Sequence, residues 1–278
     1  MPGRRIDSGT CRSLEGVSVL VTRPSAYAGY LIGEIELRGG HAIALPTVQV
    51  EYTVEASGLP AVLCADSERK LAIFTSRNAV DAVAEWLRDS NAAWPRVLEC
   101  AAVGRKTAQA IENSFGIDCA IYPESAHGIT HLMEMDRMQN LARTPSMVID
   151  GGGANSKKLS DLLRHRGSPS VAHFVVYRRK CPDVDIGPVA EYLGQGSIGY
   201  VVITSVSGAT NLFSILGTQL SDRLRASCMI TYSERIADRI CSEGFDQVVV
   251  ASESCDDAVI AAIENSVQAQ DMNIASGL

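Results

Sequence analysis

The chain has 278 residues, a formal net charge of −7, 46% hydrophobic and 21% charged residues. That length exceeds one ordinary core and suits two domains, and the composition is that of a soluble globular protein rather than a disordered one. The acidic balance argues against a protein that grips nucleic-acid backbones. It leaves room for an anionic small molecule held by local cations or backbone N–H groups.

At the N-terminus, "MPGRRIDSGTCR" is positively charged but no apolar stretch follows it, so it is read as a disordered leader over residues 1–13, not a secretory signal. Apolar runs such as "VVVA" from Val248 are far too short for a bilayer, so no membrane partner is expected. The first β/α unit is a strand in "GVSVLVTRP" and a helix through "AYAGYLIGEIELRGG", which the paired glycines stop. "KLAIFTS" then leads into "RNAVDAVAEWLRD", and "VLECAAVG" into "RKTAQAIENSF". "CAIYPES" precedes a helix in "ITHLMEMDRM", and "SMVIDGGG" precedes "SKKLSDLLRHRG". The last third continues with "YVVITS" and "GATNLFSILG", "CMITYS" and "RIADRICSEG", and "QVVVASES" with "DAVIAAIENSV". Short β-branched runs alternating with amphipathic helices are the pattern of parallel sheets covered by helices.

The alternation contains an echo. "FGIDCAIYPES" from Phe115 is answered by "EGFDQVVVASES" from Glu243, and "LAIFTSRNAVDAVAEWL" by "YVVITSVSGATNLFSIL". The fold class expected is α/β, with two similar open parallel-sheet β/α domains arising by duplication; two copies are too few for a solenoid. Two β-rich segments, 45–54 and 172–181, lead into no helix of their own and read as a two-stranded antiparallel ladder joining the lobes. Residues 55–171 would then be an inserted second domain, and 14–44 would rejoin 182–278 as the first. A continuous split near residue 140 is the rival topology.

The eight cysteines sit singly, several within apolar segments as at Cys64, Cys119 and Cys228, and no C-x-x-C occurs. They read as reduced, mostly buried thiols in a cytoplasmic protein. "GGGANS" from Gly151 is no dinucleotide fingerprint, because Ser156 stands where the third glycine belongs, and there is no phosphate-binding P-loop. "HGITH" places His127 and His131 one turn apart without the glutamate of a zinc protease, so they read as surface or capping residues. No Gly-x-Ser-x-Gly elbow anchors a hydrolase triad.

In open parallel sheets ligands bind at the carboxyl ends of the strands. The turns there, "VTRPS", "TSRN", "VGRKT", "DGGGANS", "TSVSG" and "TYSER", are rich in Ser, Thr, Gly and Asn. Each alone is explained by helix capping. Together they offer several helix N-termini to anionic groups. Tyr177, in "VVYRRK" of the presumed ladder, has a phenol that could project into a cleft beside Arg178 or Arg179; packing is the bland reading of such an aromatic.

"VLVTRP" with its helix, "LPTVQVE", "IFTSRNAV", "AVGRKTAQAI", "LRHRGSPSVAHFVVYRR", "VITSVSGATNLF" and "SERIADRICSEGF" occur in an order and spacing that resembles the uroporphyrinogen-III synthase family, from Leu14 to about Val267. The resemblance implies a lyase that cyclises hydroxymethylbilane, a linear polycarboxylate tetrapyrrole, to uroporphyrinogen III with inversion of the terminal ring and loss of water. It implies no metal and no cofactor; no nucleic-acid partner is expected from the charge, and a monomer is expected. Position by position it puts Thr75, Ser76, Asn78, Thr107, Ser205, Ser207 and Gly208 at the substrate, and makes Tyr177 the family's hinge tyrosine and a proton donor to the leaving hydroxyl. Where many relatives have Gly-Pro-x-Thr this chain has "SERI", so Ser233 stands in as cap and donor. "GGGANSKK" lacks a frequent arginine, leaving Lys157 or Lys158 as substitutes, and Arg77 or Asn78 serves where relatives carry another. The alternative reading is a two-lobed small-molecule-binding or regulatory protein without turnover.

Overall fold

The computed structural model describes residues 12–65, 70–124, 128–141 and 143–276. Most of the expected leader, and His127, therefore lie outside the described residues. In chain order the elements begin with β1 (Ser18–Val21), α1 (Ser25–Leu37), β2 (His41–Ala44), β3 (Gln49–Tyr52) and α2 (Leu59–Ala65). Next come β4 (Lys70–Phe74), α3 (Arg77–Asp89), β5 (Leu98–Ala102), α4 (Arg105–Phe115), α5 (Ile129–Glu134) and α6 (Asp136–Leu141). They are followed by β6 (Ser146–Asp150), α7 (Ala154–His165), β7 (Val171–Val175), β8 (Tyr177–Lys180) and α8 (Gly187–Gln195). The chain closes with β9 (Tyr200–Ile203), α9 (Val206–Arg223), β10 (Cys228–Thr231), α10 (Glu234–Ser242), β11 (Val248–Val250) and α11 (Asp256–Ser276).

Two compact units result. Residues up to Gln49 together with Lys180 onward make a discontinuous unit, and Val50–Arg179 make a continuous one. The discontinuous unit is built on a parallel sheet in the order β11-β10-β9-β1-β2. Alternate residues of its strands serve opposite faces, as strand geometry requires. Val19, Val21 and Ile230 pack with Leu31 and Ile35 of α1 and with Val259 and Ile263 of α11. Leu20, Val201 and Met229 pack on the other side with Val189 of α8, Leu212 of α9 and Ile236 of α10. Both faces are covered, which is why these strands read as unbroken apolar runs.

The continuous unit repeats the plan on a parallel sheet ordered β5-β4-β6-β7. Ala72, Phe74 and Ile149 face Val80 and Val83 of α3 and Ile111 of α4. Leu71, Ile73 and Val148 face Leu132 of α5, Met138 of α6 and Leu159 of α7. The echo in the sequence has a backbone meaning here. Gly116 after α4 and Gly244 after α10 both hold the left-handed conformation, φ 66° and φ 85°, that ends a helix and that glycine adopts without strain.

Several expectations are corrected. β3 and β8 do form a small antiparallel pair, but the segment 172–181 is two strands, not one. Residues Val171–Val175 belong to the four-stranded sheet, where β7 pairs with β6, and the chain changes sheet at Val176. The described part of "CAIYPES", residues 119–124, forms no strand. Ile121 accepts one bond from Ala102 N–H at 2.9 Å, and Pro123, with no N–H to give, prevents a ladder from continuing. The single helix expected over "ITHLMEMDRM" breaks into α5 and α6 at Met135, whose ψ of 135° is extended. The strand β2 and the helices α2 and α8 had no clear periodic signal. Cys64 is exposed, not buried. Among the described residues no helix is long and apolar enough to cross a membrane.

Burial pushes the Cys119 thiol up from about 9 to about 12, and burial likewise raises Cys100 and Cys228. A thiol whose folded pKa is raised keeps its proton where the unfolded chain has lost it. Its stabilising contribution is therefore whole below the unfolded value and disappears as pH rises from about 9 towards about 12. The melting temperature should fall over that interval, and less steeply in Cys119→Ala. Alkylation of the native protein near about pH 8 should label Cys64, Cys181 and Cys241 and spare Cys100 and Cys119.

Candidate active site

In the continuous unit, β4 ends at Phe74 and the chain turns through Thr75 and Ser76 into α3. Ser76 is the N-cap of that helix, with extended backbone, and its Oγ accepts from Ala79 N–H at 3.3 Å. The same hydroxyl lies 3.1 Å from the Tyr177 hydroxyl, and either can be the donor. The two residues are 101 positions apart in sequence, so the pairing is purely tertiary.

Tyr177 does not project free beside the arginines, as the sequence suggests. Its side chain is 5% exposed and is part of the core cluster that contains Phe74, Val80 and Ile149. Gly151 makes this possible. A Cβ at that position would lie 2.4 Å from Tyr177 Cζ, so only glycine leaves room for the ring. Arg179 places its guanidinium carbon 5.7 Å from the ring centroid, a cation–π distance.

The turn holding Gly151 is fixed by Asp150. This carboxylate is 1% exposed; its Oδ1 accepts from Gly152 N–H at 2.6 Å and lies 2.8 Å from His173 Nε2. The backbone carbonyl of Asp150 accepts from Val176 N–H at 2.8 Å, one residue before the tyrosine. Gly152 and Gly153 follow at φ 78° and φ 108°. Asp150, His173 and Gly151 escape a reading of the sequence. An aspartate ending an apolar run before three glycines was the available signal, but nothing local ties it to a strand residue 23 positions on.

The other candidates of this unit are dispersed along helix starts. Thr107 is buried in the first turn of α4, whose N-cap, Gly104, has no side chain to offer. Asn78 lies in the first turn of α3 and is partly buried; Arg77 pairs with Asp81 at 3.4 Å. Lys157 and Lys158 are exposed on α7.

The discontinuous unit carries a second cap of the same build. Ser205 caps α9 with φ −156° and ψ 153°, against −159° and 157° at Ser76, and its Oγ accepts from Gly208 N–H at 2.9 Å. Ser207 Oγ stands 3.3 Å from Ser205 Oγ. Gly208 is buried, and a Cβ there would meet Ser205 Oγ at 2.9 Å and Thr47 Oγ1 at 3.2 Å. Thr47 in turn donates to Thr22 O at 3.1 Å and accepts on its carbonyl from Asn211 Nδ2 at 2.7 Å. These bonds tie together the loops at the carboxyl ends of β1, β2 and β9. Ser233 occupies the N-cap of α10, but its hydroxyl makes no capping bond, so its expected role as a cap is not realised. Beside it, a cluster that sequence reasoning missed joins two loops to the start of α11: Asp256 accepts from Arg23 and, at 2.9 Å, from the Tyr232 hydroxyl. Burial first, and the Asp256 charge after it, raise the Tyr232 phenol. Arg23 is thereby partnered within its own unit. Among the described residues no group of three or more His, Cys, Asp or Glu side chains is placed to hold a metal ion.

Comparison with known proteins assigns the chain. The family model described as uroporphyrinogen-III synthase HemD matches residues 30–261. The chain belongs to the uroporphyrinogen-III synthase family. It is 26% identical over 249 residues to the uroporphyrinogen-III synthase of Escherichia coli (strain K12), covering 89% of this chain and all of that one. The Salmonella typhimurium synthase is 25% identical over the same length and coverage of this chain. Among solved structures, the synthase of Helicobacter pylori 26695 superposes with a TM-score of 0.56 at 15% identity, over 90% of this chain and 99% of that one. A mutant synthase from the extreme thermophile Thermus thermophilus gives 0.55 at 14% identity, over 91% and 99%. At these identities the structural likeness establishes the two-domain fold. The family establishes the class of activity: a cyclising lyase of tetrapyrrole biosynthesis. A binding protein without turnover is not favoured.

Gly151→Ala should drive the tyrosine ring off its seat and break its bond to Ser76. A melting-temperature loss equivalent to about 1–3 kcal/mol is expected, as for overpacking a core, with a fall in turnover. Ser76→Ala should cost about 1 kcal/mol as a lost N-cap, measured by denaturant titration.

Proposed function

We propose that this chain converts hydroxymethylbilane to uroporphyrinogen III with Tyr177 as proton donor to the departing hydroxyl. The observation that carries the proposal is the hydrogen-bonded series Tyr177 hydroxyl, Ser76 hydroxyl, α3 N-terminus. The reaction breaks the bond between the terminal methylene and its hydroxyl oxygen, so a proton must reach that oxygen for it to leave as water. A phenol is a weak acid and needs help for its conjugate base. Ser76 can rotate its O–H towards the phenolate oxygen while still accepting from Ala79 N–H. The positive end of α3 then lies one hydroxyl away from the developing charge.

Loss of water leaves an electrophilic azafulvene. This attacks the substituted carbon of the far terminal pyrrole, and the spiro intermediate fragments and recloses with that ring inverted. Aromatisation of the closing pyrrole releases one proton, which can restore the phenol, so the net change is loss of water alone. The bilane closes unaided to the unflipped isomer, so most of the protein's contribution is to hold the chain in the less probable geometry.

The substrate carboxylates suit helix N-termini better than isolated strong cations, since several N–H groups can share a flexible polyanion. We assign this role in the continuous unit to Thr75, Ser76, Asn78 and Thr107, at the starts of α3 and α4. In the discontinuous unit we assign it to Ser205, Ser207, Gly208 and Ser233, at the starts of α9 and α10. The hydroxyl of Ser233, free of a capping bond, is available as a donor. The protein is proposed to act as a cytoplasmic monomer without metal or cofactor, and with no nucleic-acid or membrane partner.

The test is an assay in which hydroxymethylbilane is generated in place and the oxidised products are separated into isomers I and III, with a chelator present. Predominantly type III is expected. Type I alone, at the blank rate, from folded protein would overturn the function. Tyr177→Phe should lower kcat by about 100-fold or less, at the modest end of general-acid effects. Parental kcat in that variant would remove Tyr177 as the donor while leaving the family function standing.

A further inference from the structure

Asp150 is a buried carboxylate that the reaction itself does not use. Its Oδ1 takes two donors, Gly152 N–H at 2.6 Å and His173 Nε2 at 2.8 Å in the tautomer protonated there. Its Oδ2 is buried without a hydrogen-bond partner among the described residues. A buried carboxylate one partner short is costly to keep, which directs attention to what its satisfied oxygen holds. That oxygen holds the turn on which Tyr177 lies.

The placement follows from the register of the sheet. Val148 of β6 is opposite His173 of β7, and Asp150, two residues further along β6, projects to the same side of the sheet. The aspartate therefore reaches both the neighbouring strand and the turn leaving its own. Its carbonyl holds Val176 N–H at 2.8 Å, so the residue grips the two stretches that must meet, the turn at Gly151 and the strand entering Tyr177. The ring's hydroxyl end then occupies the space beside Gly151. Gly152 and Gly153, at positive φ, could not hold this turn by backbone preference alone, because glycine is equally at ease elsewhere.

We propose that Asp150 is a positioning residue for Tyr177: its carboxylate fixes the turn at residues 151–153, and so presents the phenol oxygen to Ser76 and the start of α3. The proposal rests on the reading of Tyr177 as proton donor, and extends it to a residue that touches neither substrate nor reacting atoms. Charge-assisted bonds of this kind are stronger and shorter than neutral ones. Asparagine, with the same oxygen but no charge, should therefore hold the turn in part, and alanine should not hold it.

The test combines kinetics with carbon-13 NMR of protein labelled in its tyrosine rings. The Tyr177 resonance is identified by its disappearance in Tyr177→Phe. In Asp150→Ala that resonance should move, while those of Tyr30 and Tyr200 in the discontinuous unit stay in place. Asp150→Ala should lower kcat about tenfold with KM within about twofold, the pattern of an interaction acting on the transition state and not on binding. The double variant Asp150→Ala with Tyr177→Phe should be no slower than Tyr177→Phe alone, because both changes act through one group. Asp150→Asn should recover kcat to within about threefold of the parent and move the resonance less. That variant also carries the comparison if the alanine protein does not fold.

An unmoved Tyr177 resonance in folded Asp150→Ala, or in Asp150→Asn where only that variant folds, would overturn the proposal. So would a double variant slowed by the product of the single effects. Parental kcat in Tyr177→Phe would instead remove Tyr177 as the donor, and the resonance comparison would still decide whether Asp150 sets the ring.

Discussion

The hydroxyl end of Tyr177 lies where a side chain at position 151 would have to be, 2.4 Å from a Cβ that glycine lacks. Much of the continuous unit is arranged around that close approach. β6 delivers Asp150 and Gly151 to the carboxyl edge of the sheet, and β7 and the link at Val176 bring the tyrosine back over them. β4 and the Ser76 cap supply the partner for its hydroxyl. The ring is buried among Phe74, Val80 and Ile149, so its position is set by packing as well as by the bond to Ser76.

The two units reach their helix starts by the same local chemistry. Ser76 and Ser205 have nearly the same backbone angles and each accepts from the N–H three residues on. They differ in what is added. At Ser76 the addition is a tyrosine; at Ser205 it is a second serine and a glycine pressed against Thr47. The same strand–cap–helix unit thus recurs in both units, and under the function proposed above it would offer anion-binding ends in both and an acid in one. The arrangement suits a reaction whose difficulty is conformational, where side chains need only hold a flexible polyanion and move one proton.

The fold class was legible because its causes are local. Parallel strands covered on both faces are apolar along most of their length, and the runs "LAIF", "MVI", "YVVI" and "CMI" are so. Glycines at 116 and 244 mark helix ends by conformation alone. The failures have equally physical causes. "CAIYPES" matches its counterpart in hydrophobicity, but Pro123 denies it a ladder. The segment 172–181 looks like one strand because strand pattern does not say which sheet it joins, and the chain passes from one sheet to the other at Val176.

The candidate site divides along the same line. Ser76 and Ser205 could be found from sequence because an N-cap is fixed by its own and the next three residues. Tyr177 could be singled out, and its family role inferred, but not its burial or its partner. The cluster of Arg23, Tyr232 and Asp256 and the pairing of Asp150 with His173 were invisible, since each joins loops or strands far apart in the chain. By itself the sequence determined most of the strands and helices, the caps at Ser76 and Ser205 and the helix-ending glycines, all governed by interactions within a few residues. Only the tertiary structure decided which hydroxyl meets the phenol and which glycine yields it space, because those contacts depend on strand order and register, which no local pattern encodes.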